Sequence, residues 1–236
     1  AIESGFISSY GKYLDKFEDK LSKFTGSKYV ILTTSGTSAL TLLLKSYNIG
    51  IGDEVIVPNL TFGATANAVI AVGATPVLVD INKDTWNLDH KMLDKSVNPK
   101  TKAVIFVSLF GSSAGISDVL KFCKKKDLLF LEDSAESFGT FIKNKHSGTI
   151  GQGGILSFYG NKTITTGEGG ALLLNCENIF NKAKILQNHG MDKNKRYWHI
   201  ENGYNFRMSN LQAAVGLGQI ENAQRIINKK KEIYEW

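Results

Sequence analysis

The strongest constraint on the fold is an alternation of short, continuously apolar runs with segments of helical periodicity. Glu54–Val57, Thr75–Asp80, Ala103–Ser108 and Leu128–Glu132 are runs of the first kind, and Tyr29–Thr33 is a β-branched one. Between them, Lys12–Phe24, Ser38–Tyr47, Ala64–Val72 and Ser117–Lys125 repeat apolar residues at the spacing of an amphipathic helix. A strand that is apolar on both faces needs cover on both, and a strand–helix–strand order makes neighbouring strands parallel. The expectation is a three-layer α/β/α domain with a mostly parallel sheet. Ile155–Phe158 and Gly170–Asn175 read as two more strands flanking a glycine-rich, hairpin-like stretch. Ile179–Asn188 and Asn210–Glu232 read as helices, Ser35-Gly36-Thr37 as a turn and Gly50–Asp53 as a loop.

At 236 residues, 42% hydrophobic and 21% charged, the chain has the make-up of a globular protein with one substantial core. No apolar run reaches the roughly 18 residues of a membrane span, and no signal-peptide pattern opens the chain. Cys123 and Cys176 are too few for a disulfide framework, which points to a reduced, cytoplasmic setting. The formal charge of +6 sits largely in short runs, Lys124–Lys126, Lys143-Asn144-Lys145 and Lys229–Lys231, read as solvated surface. No basic-aromatic platform or recognition helix supports a nucleic-acid partner. The four histidines are scattered, so no metal is expected. The chain starts without Met and stops at Glu-Ile-Tyr-Glu-Trp inside what reads as a continuing helix, and a fragment is the expectation.

In open α/β sheets, ligands bind at the carboxyl ends of the strands. Four segments with suggestive chemistry fall there. Thr34-Ser35-Gly36-Thr37 precedes a helix, where small residues and the helix dipole favour an anion, although Ser-Gly-Thr is also an ordinary N-cap. Glu132-Asp133-Ser134-Ala135-Glu136 follows a strand; Asp133 there suits a protonated ring nitrogen, or equally a helix cap. In Ser157–Gly170, Lys162 lies in a turn between two strands among small residues, placed as a Schiff-base nucleophile and proton shuttle, or simply as a solvent-exposed loop lysine. Gly203–Asn210 opens the last helix with Asn205 and Arg207, suited to phosphate or carboxylate, or to capping and packing. A Gly-x-Gly-x-x-Gly turn after the first strand is missing, which sets aside a dinucleotide-binding dehydrogenase.

Taken together and in this order, the segments resemble the DegT/DnrJ/EryC1/StrS sugar aminotransferases, which share the fold-type I architecture of aspartate aminotransferase. The resemblance runs over essentially the whole chain. It includes Thr34–Leu40, Gly52–Pro58, Thr61–Asn67, Gly73–Val77, Lys100–Ala103, Glu132–Ser137, Asn188-His189-Gly190 and Gly203–Ala214, and it is most specific at Lys162 with Thr165–Gly170. It implies pyridoxal 5'-phosphate (PLP) as cofactor, carried by Lys162. It further implies Asp133 at the pyridinium nitrogen, Glu136 near the phenolic oxygen and Phe62 stacked on the ring. Gly36, Thr37 and Ser157 would hold the phosphate. Asn205 and Arg207 would reach a neighbouring subunit's site, which makes the active unit a homodimer. The implied reaction moves an amino group from an amino acid, glutamate first among candidates, to a keto sugar carried on a nucleotide. Glu136 stands where many members have His or Gln, and with the Lys162 segment it resembles the GDP-perosamine synthases, which aminate C4 of GDP-4-keto-6-deoxymannose. Residues 1–215 then form the PLP-binding large domain and 216–236 the start of a helix toward a small domain largely absent from the chain. Two other readings remain: a non-catalytic homologue, and a PLP-dependent sugar dehydratase, whose members carry His in place of the lysine.

Overall fold

The computed structural model describes residues 1–236. Its elements run α1 (Lys12–Thr25), β1 (Tyr29–Thr33), α2 (Gly36–Ser46), β2 (Glu54–Pro58), α3 (Ala64–Ala71), β3 (Thr75–Val79), β4 (Thr101–Val107), α4 (Ile116–Lys126) and β5 (Leu129–Asp133). A two-stranded hairpin follows, β6 (Phe141–Ile142) and β7 (Lys145–His146). Then come β8 (Gly153–Ser157), β9 (Gly170–Leu174), α5 (Glu177–Gln187), α6 (Asn210–Glu221) and α7 (Ala223–Tyr234).

Seven strands form one sheet in the order β1-β9-β8-β5-β4-β2-β3. β8, β5, β4, β2 and β3 pair in parallel, and β9 is antiparallel to both of its neighbours. β9 alone is therefore reversed, because a loop and not a helix returns it from β8. Alternation along each strand builds the two covered faces expected from the apolar runs. In β4, Ala103, Ile105 and Val107 join the core shared with Leu40 and Leu43 of α2 and Val69 of α3, while Val104 and Phe106 meet Val119 and Cys123 of α4. At the other end of that second face, Val30 and Leu32 pack with Phe17 and Leu21 of α1 and Ala213 of α6. Gly216 of α6 lets the helices close together, since a Cβ there would lie 2.4 Å from the Phe17 ring.

Three local features differ from the sequence expectation. Ser35-Gly36-Thr37 is not a turn before α2: Ser35 is its N-cap, with Oγ accepting the Ser38 N–H at 3.0 Å, and Gly36 and Thr37 are its first turn. The expected helix Asn210–Glu232 is broken at Asn222, whose amide group donates to the Gly218 carbonyl at 2.9 Å and competes with the helical ladder. The β6–β7 hairpin lay hidden in the Lys143-Asn144-Lys145 run. Lys143 and Asn144 have φ of 49° and 66°, the pair of left-handed residues that a tight two-residue turn requires.

Two buried groups oppose each other in pH dependence. Burial pushes the Glu132 carboxyl from its ordinary 4.5 up to about 7, against the pull of the Gly151, Gly148 and Ile150 amides. Burial pushes the His146 imidazole from 6.5 down to about 4. Folded Glu132 keeps a proton that the unfolded chain has released, so its contribution falls as pH rises from 4.5 to about 7. Folded His146 is neutral where the unfolded chain is charged, so its contribution rises with pH from about 4 to 6.5. Across their shared window the two cancel. A His146→Phe chain is expected to lose roughly 2 to 3 kcal/mol between pH 4.5 and 6.5 relative to the parent's own trend, read by denaturant unfolding at stepped pH. Parallel curves for parent and variant would contradict it.

Candidate active site

The carboxyl ends of β1, β2, β4, β5 and β8 open on one edge of the sheet, and the chain re-enters there at Gly170 of β9, opposite Thr33 and Ser157. A pocket of about 290 Å³ lies at that edge. Gly36 and Thr37 reach it from α2, Phe62 from the β2–α3 loop, Asp133 and Glu136 from the end of β5 and beyond, and Ser157 and Lys162 from β8 and its loop.

Asp133 ends β5 and is buried. Its Oδ2 accepts the Thr65 hydroxyl at 2.8 Å and its Oδ1 accepts the Ala135 amide at 3.2 Å. Burial pushes its carboxyl up from the ordinary value; the two donors and the nearby Lys162 ammonium pull the other way, and Glu136 adds to the rise. No cation forms an ion pair with it. A buried carboxylate without a counter-charge suits a cationic ligand atom.

Glu136 is fixed at one oxygen by the backbone amide of Phe110, which donates to Oε2 at 3.0 Å. Its other oxygen lies 3.4 Å from Lys162 Nζ. Phe110 itself sits in the left-handed region (φ 51°, ψ 28°), an uncommon conformation for a bulky residue, and that turn aims its N–H at Glu136. The charged group that Lys162 meets is thus a carboxylate.

The opposite end of the pocket is a helix start. Gly36 and Thr37 belong to the first turn of α2, where backbone N–H groups have no intrahelical acceptor, and Ser157 lies against them. The backbones are in close contact: a Cβ on Gly170 would lie 2.5 Å from the Ser35 carbonyl and 2.6 Å from the Gly36 nitrogen. Phe62 borders the pocket as a rim residue, 77% exposed.

Asn205 and Arg207 are not brought into this pocket. Asn205 is exposed and pairs with Asn188 across an isolated bridge. Arg207 Nε donates to Ser9 Oγ at 3.2 Å, and another of its guanidinium nitrogens donates to Asn188. It lines a separate hollow with Tyr10, His189, Arg196, Tyr197 and His199. The sequence reading missed Thr65, the hydroxyl on Asp133, which stands 68 positions away in the chain and has no local signal. It also missed Phe110 and Tyr159, although both follow strands at the productive edge.

A sheet with one reversed strand, a lysine and an unpaired carboxylate at its carboxyl edge, and a helix start facing them, is the large-domain architecture of the pyridoxal-phosphate-dependent transferases. The chain belongs to the DegT/DnrJ/EryC1/StrS aminotransferase family, whose model matches residues 1–236. It is 41% identical over 235 residues to a GDP-perosamine synthase of Caulobacter vibrioides, an alignment that covers 100% of this chain and 63% of that protein. It is 37% identical over 240 residues to a UDP-2-acetamido-2-deoxy-3-oxo-D-glucuronate aminotransferase of Pseudomonas aeruginosa, covering 98% and 66%. Among solved structures it is similar to PseC of Helicobacter pylori, an aminotransferase of pseudoaminic acid biosynthesis, with a TM-score of 0.92, 35% identity and coverage of 98% and 63%. It is also similar to NtdA of Bacillus subtilis, solved with bound cofactor PMP, with a TM-score of 0.88, 32% identity and coverage of 94% and 51%. The chain thus spans under two thirds of the length of the first of these relatives. Members of the family use pyridoxal phosphate. No helix is long and apolar enough to cross a membrane.

Proposed function

We propose that this chain is the cofactor-binding part of a sugar-nucleotide aminotransferase. It moves an amino group from an amino acid, with glutamate the first candidate, to a nucleotide-linked 4-keto-6-deoxy sugar. GDP-4-keto-6-deoxymannose is the first sugar to try, since the Caulobacter relative is a GDP-perosamine synthase and Glu136 replaces the commoner His or Gln. The observation that carries the reading is one pocket holding Lys162, a buried Asp133 that forms no ion pair and an open helix start.

Those residues fit pyridoxal phosphate. Asp133 suits the ring nitrogen, keeping a proton there by ion pairing. The amides of Gly36 and Thr37, with the Ser157 hydroxyl, suit the phosphate. Phe62 lies at the rim to cover the ring, and Glu136, held by Phe110, suits the side of the phenolic oxygen. The bound cofactor supplies an aldehyde carbon for amines and a ring that takes up the electron pair of a broken C–H bond. Lys162 Nζ would hold the cofactor at its aldehyde carbon and, when free, would be the amine at that end of the pocket able to take up and give back a proton. A lysine here favours amino transfer over the dehydration attributed to members with His. Asn205 and Arg207 stand outside the pocket, and we assign them to the site of a partner subunit in a homodimer. Residues 1–215 form the large domain, and 216–236 lead toward a smaller one.

The test is an absorbance spectrum of the purified chain with pyridoxal phosphate, before and after glutamate, then with candidate keto sugars. A visible band that bleaches with glutamate and returns with one sugar is expected. A chain that binds no cofactor, or shows no response to any amino acid, would rule the reading out. Gly170→Ala tests the phosphate end separately. Its Cβ meets the backbone of Ser35 and Gly36, which must shift. The expected result is roughly tenfold weaker cofactor binding by titration, the scale of a lost charge-assisted hydrogen bond. Unchanged affinity would place the phosphate elsewhere.

A further inference from the structure

Behind the candidate site, between β7 and β8, residues 147–151 run as a strap through a largely buried polar network. Glu132, with no exposed surface and no cationic partner, accepts three backbone amides: Gly148 at 2.8 Å on Oε2, and Ile150 and Gly151 at 2.7 Å each on Oε1. One residue away, the buried Ser147 hydroxyl is the hub of a cluster. Its Oγ lies 3.1 Å from that of Ser108, 2.8 Å from that of Ser134 and 2.9 Å from that of Ser137. The strap fits against the strands without slack: a Cβ on Gly151 would lie 2.2 Å from the Phe130 carbonyl, and one on Gly154 would lie 2.4 Å from the Gly148 carbonyl.

The anchors interleave with the site. Glu132 precedes Asp133, Ser134 follows it, Ser137 follows Glu136, and Ser108 lies two residues before the Phe110 amide that fixes Glu136. Apolar side chains of similar size would fill this volume at lower desolvation cost, whereas a fully bonded network specifies one arrangement. We propose that the strap, through Ser147 and Glu132, is a positioning element that sets where the Asp133 and Glu136 carboxylates stand. The proposal rests on the reading that these two carboxylates face the cofactor. Neither Ser147 nor Glu132 borders the pocket, so both act through their neighbours.

Amide hydrogen exchange on the cofactor-free chain tests the positioning, because Ala135 and Phe110 donate to the two carboxylates. Ser147→Ala leaves three hydroxyls without their hub, and Glu132→Gln presents an NH2 group toward amide donors. Each is expected to speed exchange at Ala135 and Phe110 roughly tenfold, the scale of one buried hydrogen bond. Val119→Ala, a cavity in the α4 core on the same sheet face, is the control for general loss of stability. It should lower the unfolding midpoint without selective exchange at those amides. Exchange no faster in Ser147→Ala and Glu132→Gln than in Val119→Ala overturns the proposal. On the same samples with pyridoxal phosphate, the pH at which the visible band changes is expected to move in the two strap variants and hold in Val119→Ala. A parent chain with no band would remove the cofactor reading, while the exchange result still decides the strap.

Discussion

Lys162→Ala is expected to lower amino transfer by roughly 10⁴-fold or more, since the proposed function gives this one residue both the covalent hold on the cofactor and the proton transfer. That proposal rests on where the side chain sits. Nζ projects into the pocket on the turn after β8, and its side chain is only 19% exposed. The variant should still take up pyridoxal phosphate, because Asp133, the α2 start and Ser157 remain, but without the band that depends on a lysine. Glu136 loses its charged partner while Phe110 still fixes one oxygen, so the carboxylate stays in place. A small primary amine added to the solution is expected to restore part of the proton transfer. The check is a spectrum with and without glutamate, followed by single-turnover kinetics. Turnover within tenfold of the parent would remove Lys162 from the chemistry.

Much of this arrangement was legible because the relevant signals are local. The apolar runs at Glu54–Val57 and Ala103–Ser108 are strands because burial on both faces leaves no place for polar alternation. The position of Asp133 at the end of such a run already put it at the productive edge, and a small-residue stretch around Lys162 marked a turn. Long-range and conformational features were not legible. Thr65 finds Asp133 only because the start of α3 and the end of β5 meet at the carboxyl edge of the sheet, and Glu132 finds its three amides beyond the β6–β7 hairpin. Lys143-Asn144 read as charge because its left-handed turn carries no glycine. Arg207 read as a residue for a neighbouring subunit's site, and within this chain its guanidinium turns toward Ser9 and Asn188. Charge and sequence distance do not report direction, and direction decides which pocket an arginine serves.

Asp133→Asn separates the cost of the site from its use. The asparagine keeps the shape and one acceptor but carries no charge to hold a proton on a ring nitrogen. Amino transfer is expected to fall by roughly 10²- to 10³-fold, the usual size of one preorganised electrostatic contact at the reacting centre. Cofactor affinity should fall less, because Lys162 and the phosphate end are untouched. Stability should move the other way. In the cofactor-free chain, burial already penalises the charged carboxyl, and its only compensation is the Thr65 hydroxyl, the Ala135 amide and the nearby Lys162. Removing that charge is expected to raise the denaturant midpoint at neutral pH, a gain that shrinks as the pH falls and Asp133 protonates in the parent. Saturating cofactor should reverse the order, since only the parent then has the opposite charge that offsets burial. Denaturation with and without cofactor, beside single-turnover kinetics, reads all three effects. A variant that is less stable without cofactor, or as fast as the parent with it, would show that Asp133 is a structural cap and not the ring's partner.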